Sequence, residues 1–219
     1  MTTKKRKKMP FKKMWQKFFT QEYGETEAND LMIRIQKKYH ELCANHKEIT
    51  NRALINHLYN NIFPQMAAYK IFLEDGKSKE DAFDITEKLH FLTLDKQKRD
   101  FKILSRFPFC LAYIRMLTPR TIKAKHPPEG WTFEWVENSK NCINYKAKTC
   151  FYYDIIKEYG LPEFTLIYCN GDDYVYDVKS PYIKWGRTTA MTRGGDYCDI
   201  IFHRLSKKNR SKEKSEISD

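Results

Sequence analysis

The stretch WTFEWVENSKNCINYKAKT, residues 131–149, decides the fold class. Trp131, Phe133 and Trp135 alternate with polar residues, and so do Ile143, Tyr145 and Ala147. A period of two places each set on one face of a strand. Asn138, Ser139, Lys140 and Asn141 between them are turn formers, so the segment reads as an antiparallel hairpin. Outward from it, further strands are expected around residues 182–189 and 198–203, with Gly194, Gly195 and Asp196 as the turn before the last. Residues 150–159 read instead as a helix, stopped by Gly160 and Pro162.

Upstream the period changes to that of a helix. Leu31, Ile35, Tyr39 and Leu42 recur at spacings of four and three, one apolar stripe. Leu54, Leu58, Ile62 and Met66 form a second stripe, and Pro64 inside it predicts a kink or a fresh start. Gly76 suits the residue just past a helix end, and Ser78 with Asp81 three residues on suits the next helix start. That helix carries Phe83, Leu89 and Leu92, and a fourth is expected from Gln97 to Met116, bent at Pro108. Pro119, Pro127, Pro128 and Gly130 mark residues 118–130 as a connector. The fold class is therefore α+β, an N-terminal helical half packed with a C-terminal antiparallel sheet carrying one or two helices. The expected division is a basic end over residues 1–25, a single domain over 26–204 and a basic, disordered tail over 205–219. The domain itself comprises a helical part (26–117), the connector and an α+β part (131–204).

The net charge of +12 is concentrated at the ends. Of the 40 basic side chains, 13 lie in residues 1–13 and 204–219, together with 3 of the 28 acidic ones. The body between is close to neutral, so no specific nucleic-acid partner is expected. A weak contact of the basic ends with an anionic surface is the alternative to simple solvation. Phe11, Trp15, Phe18 and Phe19 among lysines fit a lipid contact or the first turns of a core helix equally well. The basic N-terminus is followed by no apolar leader segment, and the apolar run from Phe107 to Leu117 is too short to span a bilayer. Reduced thiols and a cytoplasmic location are the expectation.

Four of the six cysteines, Cys142, Cys150, Cys169 and Cys198, fall in the C-terminal module. Cys169 is followed three residues later by Asp172 across what reads as a glycine-bearing bend, and Cys198 stands beside Asp199 just after a tight turn. Arg187, with Thr188 and Thr189, offers a planar fork and hydroxyls able to hold a carboxylate. The plainer alternatives are core packing for each cysteine and, for Asp199, a turn cap or a pairing with Arg187. No C-x-x-C occurs, so zinc is disfavoured and no cofactor is expected. The histidines at 40, 46, 57, 90, 126 and 203 form no metal or nucleophile motif, and phosphate-loop, dinucleotide and serine-hydrolase patterns are missing. On these residues alone the reading is a small-molecule site of Cys, Asp and Arg.

At these residues the chain resembles the L-2-amino-thiazoline-4-carboxylic acid hydrolase family. One block is IFPQMAAYK (62–70) followed by LEDGKSKEDA (73–82). The other comprises Cys150, Gly160, Pro162, Glu163, Cys169 with Asp172, Arg187 with Thr189, and Gly194, Cys198 and Asp199 leading to Phe202. Ile200 and Ile201 depart from the pattern, where an aromatic commonly follows the aspartate. The resemblance implies hydrolytic opening of a cyclic amidine to N-carbamoyl-cysteine, on a small substrate carrying a carboxylate. Arg187 is then the residue to hold that carboxylate, with Thr189 and Cys150 beside it. Asp172 or Asp199 would act as general base, or Cys169 or Cys198 as nucleophile, and the sequence leaves both routes open. The ending also resembles vinyl-reductase-type small-molecule-binding domains, so a non-catalytic sensor is the alternative reading.

Overall fold

The computed structural model describes residues 8–206. The basic segments 1–7 and 207–219 lie outside the described residues, and so do the expectations that fall on them. The described chain divides between Thr93 and Leu94 into two compact units.

The first unit is helical. It holds α1 (Lys12–Tyr23), α2 (Glu25–Asn45), α3 (Arg52–His57), α4 (Phe63–Glu74) and the first half of α5 (Lys79–Leu104). Trp15 and Phe19 are fully buried, so the aromatic stretch among the lysines is core helix and not a lipid contact. The fold accordingly begins well inside the segment read from sequence as a basic end. Leu31, Ile35, Tyr39 and Leu42 are all buried on α2, as their spacing predicts. A π-helical turn, Leu58–Ile62, joins α3 to α4. It places Pro64 in the first turn of α4, where a missing N–H costs nothing. Gly76 adopts a positive φ of 81° past the end of α4. The Ser78 hydroxyl then accepts from the Asp81 N–H at 3.0 Å, starting α5 as expected.

The second unit is α+β. It carries the end of α5, α6 (Cys110–Lys125) and β1 (Phe133–Asn138) paired with β2 (Cys142–Ala147). Then follow α7 (Phe151–Glu158), α8 (Leu166–Tyr176), β3 (Ile183–Gly186) and β4 (Cys198–Arg204). The four strands form one antiparallel sheet in the order β1-β2-β4-β3. Three sequence expectations are corrected. Pro108 does not bend one long helix but sits in a break between α5 and α6, closed by Arg106 N–H to Ile103 C=O and Phe107 N–H to Leu104 C=O. α6 runs on through Pro119, and the Thr118 hydroxyl and Arg120 guanidinium bond the Ile114 and Met116 carbonyls of the preceding turn. The connector is thereby shortened to residues 126–132. Cys169 and Asp172 lie on a helix, α8, and not across a bend.

Register decides which face does what. Tyr145 stands opposite Ile200, Ile143 opposite Phe202, and Phe202 opposite Trp185. This face packs into an apolar core with Phe101 of α5, Cys110 and Leu111 of α6, and Val175 of α8. β1 is the outer edge, bulged between Trp135 and Glu137 and largely exposed. Among the described residues no helix is long and apolar enough to cross a membrane.

Candidate functional site

Cys198 and Asp199 are neighbours in sequence but part company in space. Successive residues of a strand face opposite sides. Cys198 pairs with Ala147 on the helix-covered face, whereas Asp199 pairs with Lys146 on the other. Each finds its own partners.

Asp199 is 4% exposed. Its carboxylate accepts from the Thr188 N–H at 2.8 Å, the Thr189 N–H at 2.9 Å and the Thr188 hydroxyl. Burial works to raise its pKa, but these donors outweigh it and hold the group below the usual carboxylate range. The carboxylate pins the segment that follows β3. Of the two readings the sequence leaves for a plain Asp199, turn anchoring is the one realised. Its link to Arg187 runs through the backbone, with Nε of the arginine donating to the Asp199 carbonyl at 3.4 Å.

Cys198 meets Cys169. The two thiols share a hydrogen bond, and Cys150, the residue preceding α7, is close enough to raise the pKa of Cys198 and to have its own raised by Cys169. A single 3-10 turn, Met191–Arg193, supplies a donor to each sulfur. The Met191 N–H reaches Cys198 Sγ at 3.3 Å, and the Thr192 hydroxyl reaches Cys169 Sγ at 3.2 Å. The Cys169 thiol lowers Cys198 below an ordinary thiol, against burial, and the Met191 N–H and Arg187 assist. The same hydrogen bond, with burial, pushes Cys169 up. Within the pair the negative charge is therefore favoured on Cys198 and disfavoured on Cys169. Cys150 is pushed up to about 11 by burial and Cys142 to about 11 by burial and Glu137, so both stay protonated.

The turn is shaped by its glycines. Gly194 adopts φ 85° at the end of the 3-10 turn. Gly195 passes so close to the Thr189 side chain that a Cβ would stand 2.0 Å from its Oγ1. Both sulfur donors therefore depend on a loop that only glycine can close.

Arg187 is 4% exposed on its side chain and fixed on several sides. It donates to Asp172 Oδ2 at 2.7 Å and to the Cys169 carbonyl at 3.1 Å, and it lies 5.4 Å from the Trp185 ring. Half of the Asp172 side-chain surface faces solvent, and the protein on its other side raises its pKa while Arg187 lowers it. Tyr145 and Tyr176 are near enough to be influenced by its charge. Asp173, the next residue, accepts from the Trp185 ring N–H at 3.0 Å and from Arg193 at 2.9 Å. Arg193 also donates to Asn170 at 3.1 Å and remains 45% exposed.

The structure thus gathers Cys150 before α7, Cys169 and Asp172 of α8, Arg187 just after β3 and Cys198 of β4, while Thr189 and Asp199 serve the loop behind them. Thr192, Arg193 and Asp173 escape the sequence reading. Their only signal is position, directly before Gly194 and directly after Asp172. Among the described residues, no three His, Cys, Asp or Glu side chains are placed to hold a metal ion.

Fold and site together define an α+β protein with a paired-cysteine centre beside an arginine-held carboxylate. The family model for L-2-amino-thiazoline-4-carboxylic acid hydrolase matches residues 3–202, nearly the whole chain. The chain belongs to that family. No curated protein matches it. Two solved structures align over most of its length. An H-NOX protein from S. oneidensis is 13% identical, with TM-score 0.34 over 87% of this chain and 92% of that one. An H-NOX protein from K. algicida is 11% identical, with TM-score 0.35 over 91% and 97%. Similarity at that level carries nothing about this chain's activity.

Proposed function

We propose that this protein is a hydrolase opening a small cyclic amidine, of the kind its family is named for, with Cys198 as nucleophile. The observation that supports this most directly is the Cys169–Cys198 pair, each sulfur receiving its own donor from the turn Met191–Arg193.

The Cys198 thiolate forms a bond to the ring carbon between sulfur and nitrogen, and the carbon–nitrogen π pair moves to the ring nitrogen, which takes the Cys169 proton. Collapse breaks the ring carbon–sulfur bond. The departing sulfur takes a proton from the exocyclic amino group, leaving an isothiourea on Cys198. Water then adds to the same carbon, with Asp172 as general base relaying its proton to the imine nitrogen. The remaining hydroxyl proton passes to the Cys169 thiolate as the carbonyl forms, and Cys198 leaves as thiolate. The product is the N-carbamoyl thiol, and the pair is restored.

Arg187 is expected from sequence to hold the substrate carboxylate. Its fork is already engaged by Asp172, Cys169 and Asp199, so in this reading it positions Asp172 instead. Carboxylate recognition passes to Arg193, which is 45% exposed and meets Asp173 and Asn170 through one and the same terminal nitrogen.

Turnover of L-2-amino-thiazoline-4-carboxylate by Cys198→Ser, Cys169→Ser, Asp172→Asn and Arg193→Leu, with intact-protein mass spectrometry, tests this. Cys198→Ser should be inactive and unlabelled. Asp172→Asn should lose about a hundredfold in rate and accumulate an adduct on Cys198. Arg193→Leu should raise KM most. Full activity in Cys198→Ser overturns the mechanism, and substrate binding without product in the wild type supports a non-catalytic sensor instead.

A further inference from the structure

Phe107 and Phe109 flank Pro108 in the break between α5 and α6, and both point outward. Their rings stack on each other with centroids 5.3 Å apart. Together with Ile103, Tyr113 and Met116 they form a set of large apolar side chains between 41 and 60% exposed. The order along α6 is regular. Phe109, Tyr113 and Met116 fall at spacings of four and three, and Arg120 and Lys123 continue the same stripe. The opposite side of the helix is accounted for, since Cys110, Leu111 and Ile114 pack into the core of the second unit. The exposed stripe is therefore not the helix's core-facing side.

The charge pattern is as uneven as the apolar one. From Phe101 to Pro128 the chain carries six basic residues and no acidic one. Lys102 and Arg106 precede the aromatic knuckle, Arg115 and Arg120 follow it, and Lys123 and Lys125 end the helix.

We propose that this surface docks the protein on an anionic bilayer, with Phe107 and Phe109 entering the headgroup boundary and the α6 cations meeting lipid phosphates. An aromatic and aliphatic tip bordered by cations is the composition of an interfacial segment. A second copy of the chain is a poor occupant, because an isologous contact would set Arg120 and Lys123 against the same cations with no acidic residue of this stretch to meet them. A single-stranded nucleic acid fits less well. The two rings stack on one another, which leaves them less free face to offer a base. The surface shares no residue with the cysteine site or with the basic segments 1–7 and 207–219.

Flotation of the full chain with phosphatidylcholine vesicles, and with vesicles also containing phosphatidylserine, tests the proposal. Binding should require the anionic lipid. The exposed double variant Phe107→Ser/Phe109→Ser, with both chain ends intact, should bind about tenfold less at unchanged circular dichroism, and Arg120→Glu/Lys123→Glu should fall similarly. Deleting residues 1–7 and 207–219 should leave most binding in place. Wild-type binding by either double variant, no binding to anionic vesicles, or tighter binding to a single-stranded oligonucleotide than to vesicles would each overturn it.

Discussion

Arg187 donates to the Asp172 carboxylate over 2.7 Å, and the two partners meet solvent very differently: the arginine is 4% exposed and the aspartate 50%. The ion pair is anchored from its cationic side. A buried guanidinium that loses one acceptor keeps the Cys169 and Asp199 carbonyls. Those carbonyls, left without the guanidinium, lose a donor in a dry place.

The two halves of the pair should therefore be unequal in a folding assay. Asp172→Asn, which keeps an acceptor oxygen, should cost about 1 kcal/mol in urea denaturation, and Arg187→Ala about 3 kcal/mol. Equal losses would count against the asymmetry.

Asp199 should govern the acid limb of stability. Its folded pKa lies below that of an unfolded aspartate, so its contribution is complete above the unfolded value of about 4 and fades as pH falls through the folded one. Thermal melts from neutral pH downward should show Asp199→Asn with a lower plateau and a flatter acid decline. A variant curve parallel to that of wild type would remove Asp199 as the anchor.

Cys198 should be the first thiol to react. Because the Cys169 thiol donates to it, iodoacetamide labelling at Cys198 should rise with pH at a midpoint below the ordinary thiol value of about 8.5. Cys169→Ala should move that midpoint upward, while Cys142 and Cys150 stay slow. Peptide mapping of the labelled protein reads all of this in one experiment, and a midpoint unmoved by Cys169→Ala would break the pairing.

Gly195→Ala should disturb the site from a distance. The added carbon would collide with the Thr189 side chain, at a cost of about 2 kcal/mol in thermal unfolding. The loop that carries the Met191 N–H should shift with it, so Cys198 labelling should also lose its low midpoint.

The helical stripes and the hairpin are readable from sequence because burial imposes its period on local residues. The stripe from Leu31 to Leu42 and the hairpin of β1 and β2 follow directly, though the bulge that sets Trp135 opposite Tyr145 does not. α8 is hidden because Asn170 and Gly171 have the chemistry of a turn, and only packing that buries Gly171 makes them helical. The membership of the site is readable in part. Cys169, Asp172, Arg187 and Cys198 are all chemically conspicuous. That the Arg187 fork is engaged by protein groups, or that Asp199 turns away from Cys198, depends on contacts between α8, β3 and β4 that no local pattern encodes.

The alternation along β4 has a consequence for how this protein can change over evolutionary time. Whether a thiol or a carboxylate confronts α8 is a matter of odd or even position along the strand, because Cys198 is held opposite Ala147 and Asp199 opposite Lys146. Inserting one residue between Asp199 and Phe202, with the Phe202 end held in register, would exchange the two and present an acid where the thiolate now stands. Inserting two would preserve the assignment. Length variation in β4 should therefore come in pairs wherever the chemistry is kept, and a descendant with an odd change would carry a different reactive group on an unchanged scaffold.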